Sequence, residues 1–274
     1  MELVKAASAD DLDGGIAIHG GTEVVPLLRD KLLATERLVD VRDVVPRGID
    51  GARIGAGTSL AELEADGTIP DALREACRLA ASPQLRAMGS VGGNLLQETR
   101  CWYWRLDYPC RLHGGDRCHA REGEHREHAI FANDFCASAH PSDVAAALVA
   151  LGARLRTTQR EAPVEELYRL PDEADRRVTT LEPGELILEL ELPEVERSVY
   201  LKAMDRKRWA FPLVGVAAAR VGGETRIALA GVAPVPWRIG GPDGLDAATP
   251  LPRTAWKLEV ARALVARALA VVST

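Results

Sequence analysis

The chain is 274 residues long, 47% hydrophobic and 27% charged, with a formal net charge of −6. That length holds one large domain or two modest ones, and that composition builds a sizeable core beneath a solvated surface. The acidic balance argues against a nucleic-acid face, no apolar run reaches the roughly 18 residues of a membrane span, and Met1-Glu2-Leu3-Val4-Lys5 lacks the features of a secretory signal, so a cytoplasmic protein is expected.

Residues 15–17 lead into Ile18-His19-Gly20-Gly21-Thr22-Glu23, a predicted strand ending in a glycine turn. Residues 24–33 read as a short helix, and 37–44 and 52–56 as two β segments. Thr58 or Ser59 can cap a helix through Glu64 with Leu60 and Leu63 on its apolar side. A helix over 71–81 must stop before Ser82-Pro83, since the residue ahead of a proline resists the helical region. Cys77 falls inside it as a buried structural thiol. A second glycine turn follows at 89–94.

Residues 97–136 break the pattern. Charged residues, glycines and six aromatics interleave without period, and five of the six histidines lie within 113–140. The stretch reads as an irregular insertion without a core of its own, and long structureless loops inside compact domains are usually functional. Four of the five cysteines are here, Cys101, Cys110, Cys118 and Cys136, spaced C-x8-C-x7-C-x17-C. A disulfide scaffold is not expected in a chain this long, whereas four thiolates hold a metal or an iron–sulfur cluster. Zinc is the rival ligand, with His113, His119, His125 and His128 nearby, but the short C-x2-4-C pairs of structural zinc sites are missing. His125 and His128 sit in a charged run and read as solvated.

Order resumes where Asp143 can cap a helix over 144–152, followed by a strand over 153–157. Residues 167–183 are mixed, 186–192 alternate as a half-buried strand, and 194–198 look like a boundary. Residues 199–204 open the last part, 214–220 and 225–232 read as paired strands turning at Gly222-Gly223, and 254–271 form a closing helix. Arg206, Lys207 and Arg208 read as a solvated basic turn. There is no internal repeat.

Glycine turns let backbone amides approach a pyrophosphate closely. Neither turn here is G-x-G-x-x-G, so a Rossmann site is not supported. Their order resembles the flavoprotein subunits of the molybdenum hydroxylases, the family of carbon monoxide dehydrogenase medium subunits and the xanthine dehydrogenase flavin domain. His19-Gly20-Gly21-Thr22-Glu23-Val24 is similar to that family's A-G-G-T-D-L, with His19 and Glu23 replacing alanine and aspartate. Ser90-Val91-Gly92-Gly93-Asn94-Leu95 is similar to T-[IV]-G-G-N-[IL], and Pro141-Ser142-Asp143 to P-x-S-D. Gly184-Glu185-Leu186-Ile187 is similar to G-E-[IL]-I, and Tyr200-Leu201-Lys202 and 214–218 resemble the opening of the C-terminal domain. The opening segment is shorter than in the family.

The resemblance implies an α+β fold: a two-subdomain FAD-binding domain over 1–195, carrying the insertion 97–136, then a small C-terminal domain over 196–274. It implies FAD contacts from Gly20, Gly21, Thr22, Glu23, Ser90, Gly92, Gly93, Asn94, Ser142, Asp143, Ile187 and Lys202. Lys202 reads equally as a surface lysine on a strand. Glu98-Thr99-Arg100-Cys101-Trp102-Tyr103-Trp104 resembles the start of an insertion found in a minority of the family. The 4-hydroxybenzoyl-CoA reductase β subunit and an aldehyde oxidoreductase flavin subunit are examples. There the insertion binds a 4Fe–4S cluster, which implies Cys101, Cys110, Cys118 and Cys136 as ligands. Trp102, Tyr103, Trp104 and Tyr108 are expected to shield it, and His140 to sit near the flavin.

The resemblance further implies an electron-transfer subunit with two partners, a large molybdopterin subunit and a small subunit with 2Fe–2S clusters. A ferredoxin-like protein could meet the 4Fe–4S centre. No general acid or base stands out in the sequence, and the cofactors would carry the chemistry. The competing readings are a zinc-stapled or flavin-free binding module of the same fold, and a standalone flavin oxidase.

Overall fold

The computed structural model describes residues 1–12, 14–206 and 210–273. Three parallel strands open the chain: β1 (Glu2–Lys5), β2 (Ile16–Ile18) and β3 (Arg37–Asp40), in the order β1-β3-β2. β1 has no sequence signature because its residues are mostly exposed and do not alternate. α1 (Val24–Arg29) crosses between β2 and β3. It is shorter than the helix expected over 24–33, because Lys31 takes a positive φ of 60° and breaks the ladder.

A five-stranded antiparallel sheet follows, built from β4 (Ile49–Asp50), β5 (Arg53–Gly55), β6 (Arg154–Thr157), β7 (Glu161–Pro163) and β8 (Ile187–Glu191), in the order β4-β5-β8-β6-β7. Between β5 and β6 run α2 (Leu60–Ala65), α3 (Asp71–Leu79), α4 (Pro83–Met88), α5 (Val91–Leu95), the short turns α6 (Trp102–Arg105) and α7 (His119–Glu122), and α8 (Asp143–Leu151). Ser59 caps α2 in a capping box with Glu62. The expected turn at 89–94 is a helical turn instead. Ser90 is extended and its hydroxyl accepts from the Gly93 amide, which starts α5.

α8 starts one residue earlier than the sequence suggests, so Ser142 is the cap and Asp143 the first helical residue. Every residue of α8 is buried. The helix packs against α3 and against the last sheet, which consists of β9 (Arg197–Ala203), β10 (Val214–Val221), β11 (Glu224–Ala230) and β12 (Trp237–Ile239) in the order β12-β11-β10-β9. α9 (Trp256–Val272) covers that sheet's other side. The α+β expectation therefore holds.

The insertion borrows its packing. Trp104 and Cys110 cluster with Leu27 of α1, and Ala120 with Ala137 and Leu251. Ile130 and Phe131 join the core formed by β10, β11 and α9, and both amides donate to the Val232 carbonyl. Of the expected basic turn, Lys207 and Arg208 lie outside the described residues.

Candidate functional site: two clefts and a thiol pocket

The two glycine segments close on one cleft of about 290 Å³. Residues 19–24 form one wall, Ser90, Gly92 and Gly93 another, and Ile187 a third. Gly21 has φ +69°, a left-handed backbone that favours glycine. Gly20 is required by packing, since a Cβ there would sit 1.7 Å from the Met88 carbonyl oxygen.

The backbone donors of the two segments differ. Among the described residues, no acceptor within the protein takes the amides of Gly20, Gly21, Thr22, Glu23 or Val24. The amides of the second segment are spent: Val91 donates to Thr58 O, Gly92 to Ala56 O, Gly93 to Ser90 Oγ and Asn94 to Ser90 O. The first segment therefore offers a nest of donors to an anion, and the second offers shape and side chains. Gly93 is open towards the cleft, and a Cβ there would meet only Ser90 Oγ, at 3.1 Å.

Behind the second segment, the Ser142 hydroxyl donates to Asn94 Oδ1 at 2.6 Å. Asp143 and Lys202 turn to each other. The Lys202 ammonium donates to Asp143 Oδ2 at 2.8 Å and to Leu79 O at 3.0 Å, and the Tyr200 hydroxyl donates to Asp143 Oδ1 at 2.5 Å. The surface reading of Lys202 is thus corrected: its side chain is fully buried between α8 and α3. Burial pushes the Asp143 carboxyl up, opposed by Lys202 and Tyr200.

Glu23 lines the glycine cleft, and its carboxylate gathers the start of the insertion. Its carboxylate accepts from Arg100 at 2.6 Å, from Arg105 at 2.5 Å and from the Glu98 amide at 3.2 Å. Arg100 in turn stacks over the half-exposed Phe211 ring, 4.8 Å from its centroid. Beyond these arginines opens a larger cleft, about 660 Å³, between α1, the insertion, residues 139–141 and the loop before β10. The glycine cleft and this one share the Glu23–arginine wall.

Cys101, Cys110, Cys118 and Cys136 line a single pocket of about 10 Å³, and all are free thiols. Burial pushes the Cys101 thiol up to about 11 and the Cys136 thiol up to about 12, so a ligated metal must displace their protons. Among the described residues no three His, Cys, Asp or Glu side chains converge on a point that would hold one ion. Tyr103 and Trp104 line the pocket, Trp102 faces the larger cleft, and Tyr108 packs edge-on against Tyr103. Phe135 also lines it, a residue the sequence did not single out.

The histidines need a correction. His125 and His128 are not solvated: they are 6% and 3% exposed. His125 bonds Ala120 O through Nδ1 and receives the Arg253 amide at Nε2. His128 Nε2 lies 3.2 Å from Cys101 Sγ, and burial holds its ring down at about 4. His119 lines the thiol pocket with Nε2 unpartnered. His140 lines the larger cleft, packs edge-on against Tyr168 and accepts the Ser142 amide. Short alternation patterns carry no signal for such burial, because contacts from distant segments create it.

Residues 2–195 match the FAD binding domain in molybdopterin dehydrogenase. The aldehyde oxidoreductase FAD-binding subunit PaoB of Escherichia coli strain K12 is 36% identical over 260 residues, which cover 87% of this chain and 81% of that protein. Reconstituted CO dehydrogenase from Oligotropha carboxidovorans has a chain of similar fold, with a TM-score of 0.69 at 21% identity over 99% of this chain and 97% of that one. CO dehydrogenase from Hydrogenophaga pseudoflava, lacking the Mo-pyranopterin moiety, gives a TM-score of 0.69 at 21% identity over 100% and 97%. Among the described residues no helix is long and apolar enough to cross a membrane.

Proposed function

The chain belongs to the family of FAD-binding domains of molybdopterin dehydrogenases and is an FAD-binding oxidoreductase subunit; from that premise we propose that it transfers electrons within a molybdenum hydroxylase-type complex, carrying a 4Fe–4S cluster beside its FAD. The observation that carries the reading is the convergence of both glycine segments on one cleft, with five consecutive amides left without acceptors among the described residues. Those amides, from Gly20 to Val24, would take the pyrophosphate. Thr22, Ser90 and Asn94 add side-chain donors, Gly92 and Gly93 allow close approach, and Ile187 supplies an apolar wall. Ser142 orients Asn94. Asp143 and Lys202 act from behind, fixing α8 to the last sheet. Bound FAD would exchange one or two electrons and so couple one-electron centres to two-electron partners.

The thiols fit a cluster in number and chemistry. Four cysteines of one loop line the same pocket, with Tyr103, Trp104 and Phe135 in its wall. The space between them holds about one water, so assembly would spread the thiols apart. A bound cluster would add a one-electron centre next to the larger cleft. One observation favours a second reading, a zinc staple: the unpartnered Nε2 of His119 in the pocket wall.

The partners proposed are a molybdopterin subunit, where substrate reacts, a 2Fe–2S subunit and a ferredoxin-like protein, all cytoplasmic. The likeness to an aldehyde oxidoreductase subunit makes an aldehyde the proposed substrate class. Residues 1–195 and 196–274 are proposed as the two domains. Anaerobic purification with flavin, iron, sulfide and zinc analysis tests this. FAD with about four iron and four sulfide per chain is expected; zinc without iron would reduce the thiol loop to a staple, and protein without flavin would remove the electron-transfer reading.

A further inference from the structure

We propose that His128 is a positioning residue for electron exchange: its Nε2–H donates to the Cys101 sulfur and makes that ligand, of the four, the port between the thiol pocket and the larger cleft. The proposal rests on the cluster reading above.

Three observations carry it. First, Cys101 lines both the thiol pocket and the larger cleft, whereas Cys110, Cys118 and Cys136 line only the pocket. Second, His128 also lines that cleft, and its Nε2 is 3.2 Å from Cys101 Sγ. Its Nδ1 is buried without a partner among the described residues. A neutral imidazole has one proton, and placing it on Nε2 puts the single donor against the single partner. Third, the ring is held from several sides. Trp102 meets it edge-on at 4.9 Å, and its amide donates to His125 O at 2.9 Å. Lys257 of α9 pins the preceding residue by donating to Glu127 O at 2.5 Å. The ring is thus held by contacts that lie outside the thiol pocket.

A hydrogen bond to a ligand sulfur stabilises the extra negative charge of the reduced state and raises the potential. With a cluster bound, the bond to Cys101 would stabilise negative charge on the sulfur at the cleft wall. Cys136 also has a side-chain partner, the Ser138 hydroxyl at 3.3 Å, but does not face the cleft. The role asks for no proton transfer: His128 would keep its proton on Nε2 while a bound cluster supplied the one-electron chemistry.

The test compares wild type, His128→Leu and His128→Gln, all purified anaerobically and assayed for iron and sulfide, then titrated to find the cluster potential. A second measurement uses wild type labelled with 15N-histidine, in which pulsed paramagnetic resonance of the reduced protein reads nitrogen coupling to the cluster. Expected are equal iron in all three, a more negative potential in His128→Leu, recovery in His128→Gln, whose amide can donate, and a 15N coupling that His128→Leu loses. An iron-free wild type would sink the cluster reading and this proposal with it. Iron-replete wild type without the 15N coupling, or a His128→Leu potential equal to wild type, would overturn the role of His128 alone. The wild-type measurement decides the matter even where the leucine variant does not fold.

Discussion

Asp143 and Lys202 form an ion pair at 2.8 Å with side chains 3% and 0% exposed, joining the first turn of α8 to β9. The pair spends its charges on protein, since Tyr200 takes the second Asp143 oxygen and Leu79 O the second Lys202 donor. A buried ion pair contributes little over an apolar replacement, but breaking it leaves an uncompensated charge.

Lys202→Met should therefore cost about 3–5 kcal/mol of stability, and Asp143→Asn a similar amount, because its single amide oxygen replaces only one of the two acceptors and leaves the buried Lys202 charge unpaired. Urea denaturation of the two single variants and the double variant measures this. If the pair instead serves mainly to bind cofactor, both variants would lose FAD at unchanged urea midpoints.

Gly20 and Gly93 separate fold from cofactor. Gly20→Ala drives a methyl into the Met88 carbonyl at 1.7 Å, so the loop must move and stability should fall. Gly93→Ala meets only the Ser90 hydroxyl at 3.1 Å and sits in α5, so the fold should survive. Its methyl projects into the glycine cleft, and FAD affinity should drop about tenfold or more, equivalent to about 1.4 kcal/mol. Thermal melts and flavin fluorescence titration of the apoprotein distinguish the two. Full affinity in a folded Gly93→Ala protein would mean that the second segment does not touch the cofactor.

Much of this site is legible in the sequence. The glycine segments, Ser142 and the four clustered cysteines can be picked out as short strings, because backbone turns and closely spaced cysteines leave local signatures. The spent amides of Val91 and Gly92 cannot, since their acceptors are Thr58 and Ala56, more than thirty positions upstream. The buried state of Lys202, His125 and His128 is equally invisible. Each looks polar and solvated in its own stretch, and each is covered by a segment distant in the chain.

Glu23→Gln tests the link between the first glycine segment and the insertion. Glu23, Arg105 and Arg100 are 16%, 17% and 28% exposed, so the carboxylate is only partly screened. Loss of its charge weakens two charge-assisted hydrogen bonds, each of about 1.5–3 kcal/mol. The free amides of residues 20–24 are untouched. Hydrogen exchange should therefore speed up over residues 98–105, while FAD affinity stays within about threefold, under about 0.7 kcal/mol. Unchanged exchange in that segment would show that the insertion is anchored elsewhere.

Stability of the metal-free protein should depend on pH in a way set by His140 and Lys257, with His128, held down at about 4 by burial, adding to His140 with the same sign. Burial, with a smaller push from Arg100, lowers His140 to about 3, so between that value and about 6.5 the unfolded chain binds the proton and the folded chain does not. Stability then falls as pH drops through that window, at up to about 1.4 kcal/mol per pH unit. Lys257 is lowered by burial to about 7 from an ordinary 10.5. It donates to the Glu127 and Gly231 carbonyls rather than to a carboxylate. Above pH 7 the unfolded chain again holds the extra proton, so stability rises with pH. The buried thiols reverse the sign higher up. Cys101 and Cys136 are raised to about 11 and about 12, and from their ordinary 9.0 upward the unfolded chain loses protons that the folded chain keeps. The urea midpoint should climb from pH 4 to 6.5, climb again between 7 and 9, and level or fall beyond. Lys257→Met should remove the second climb and leave the first, and a profile that keeps both would assign the upper window to another group.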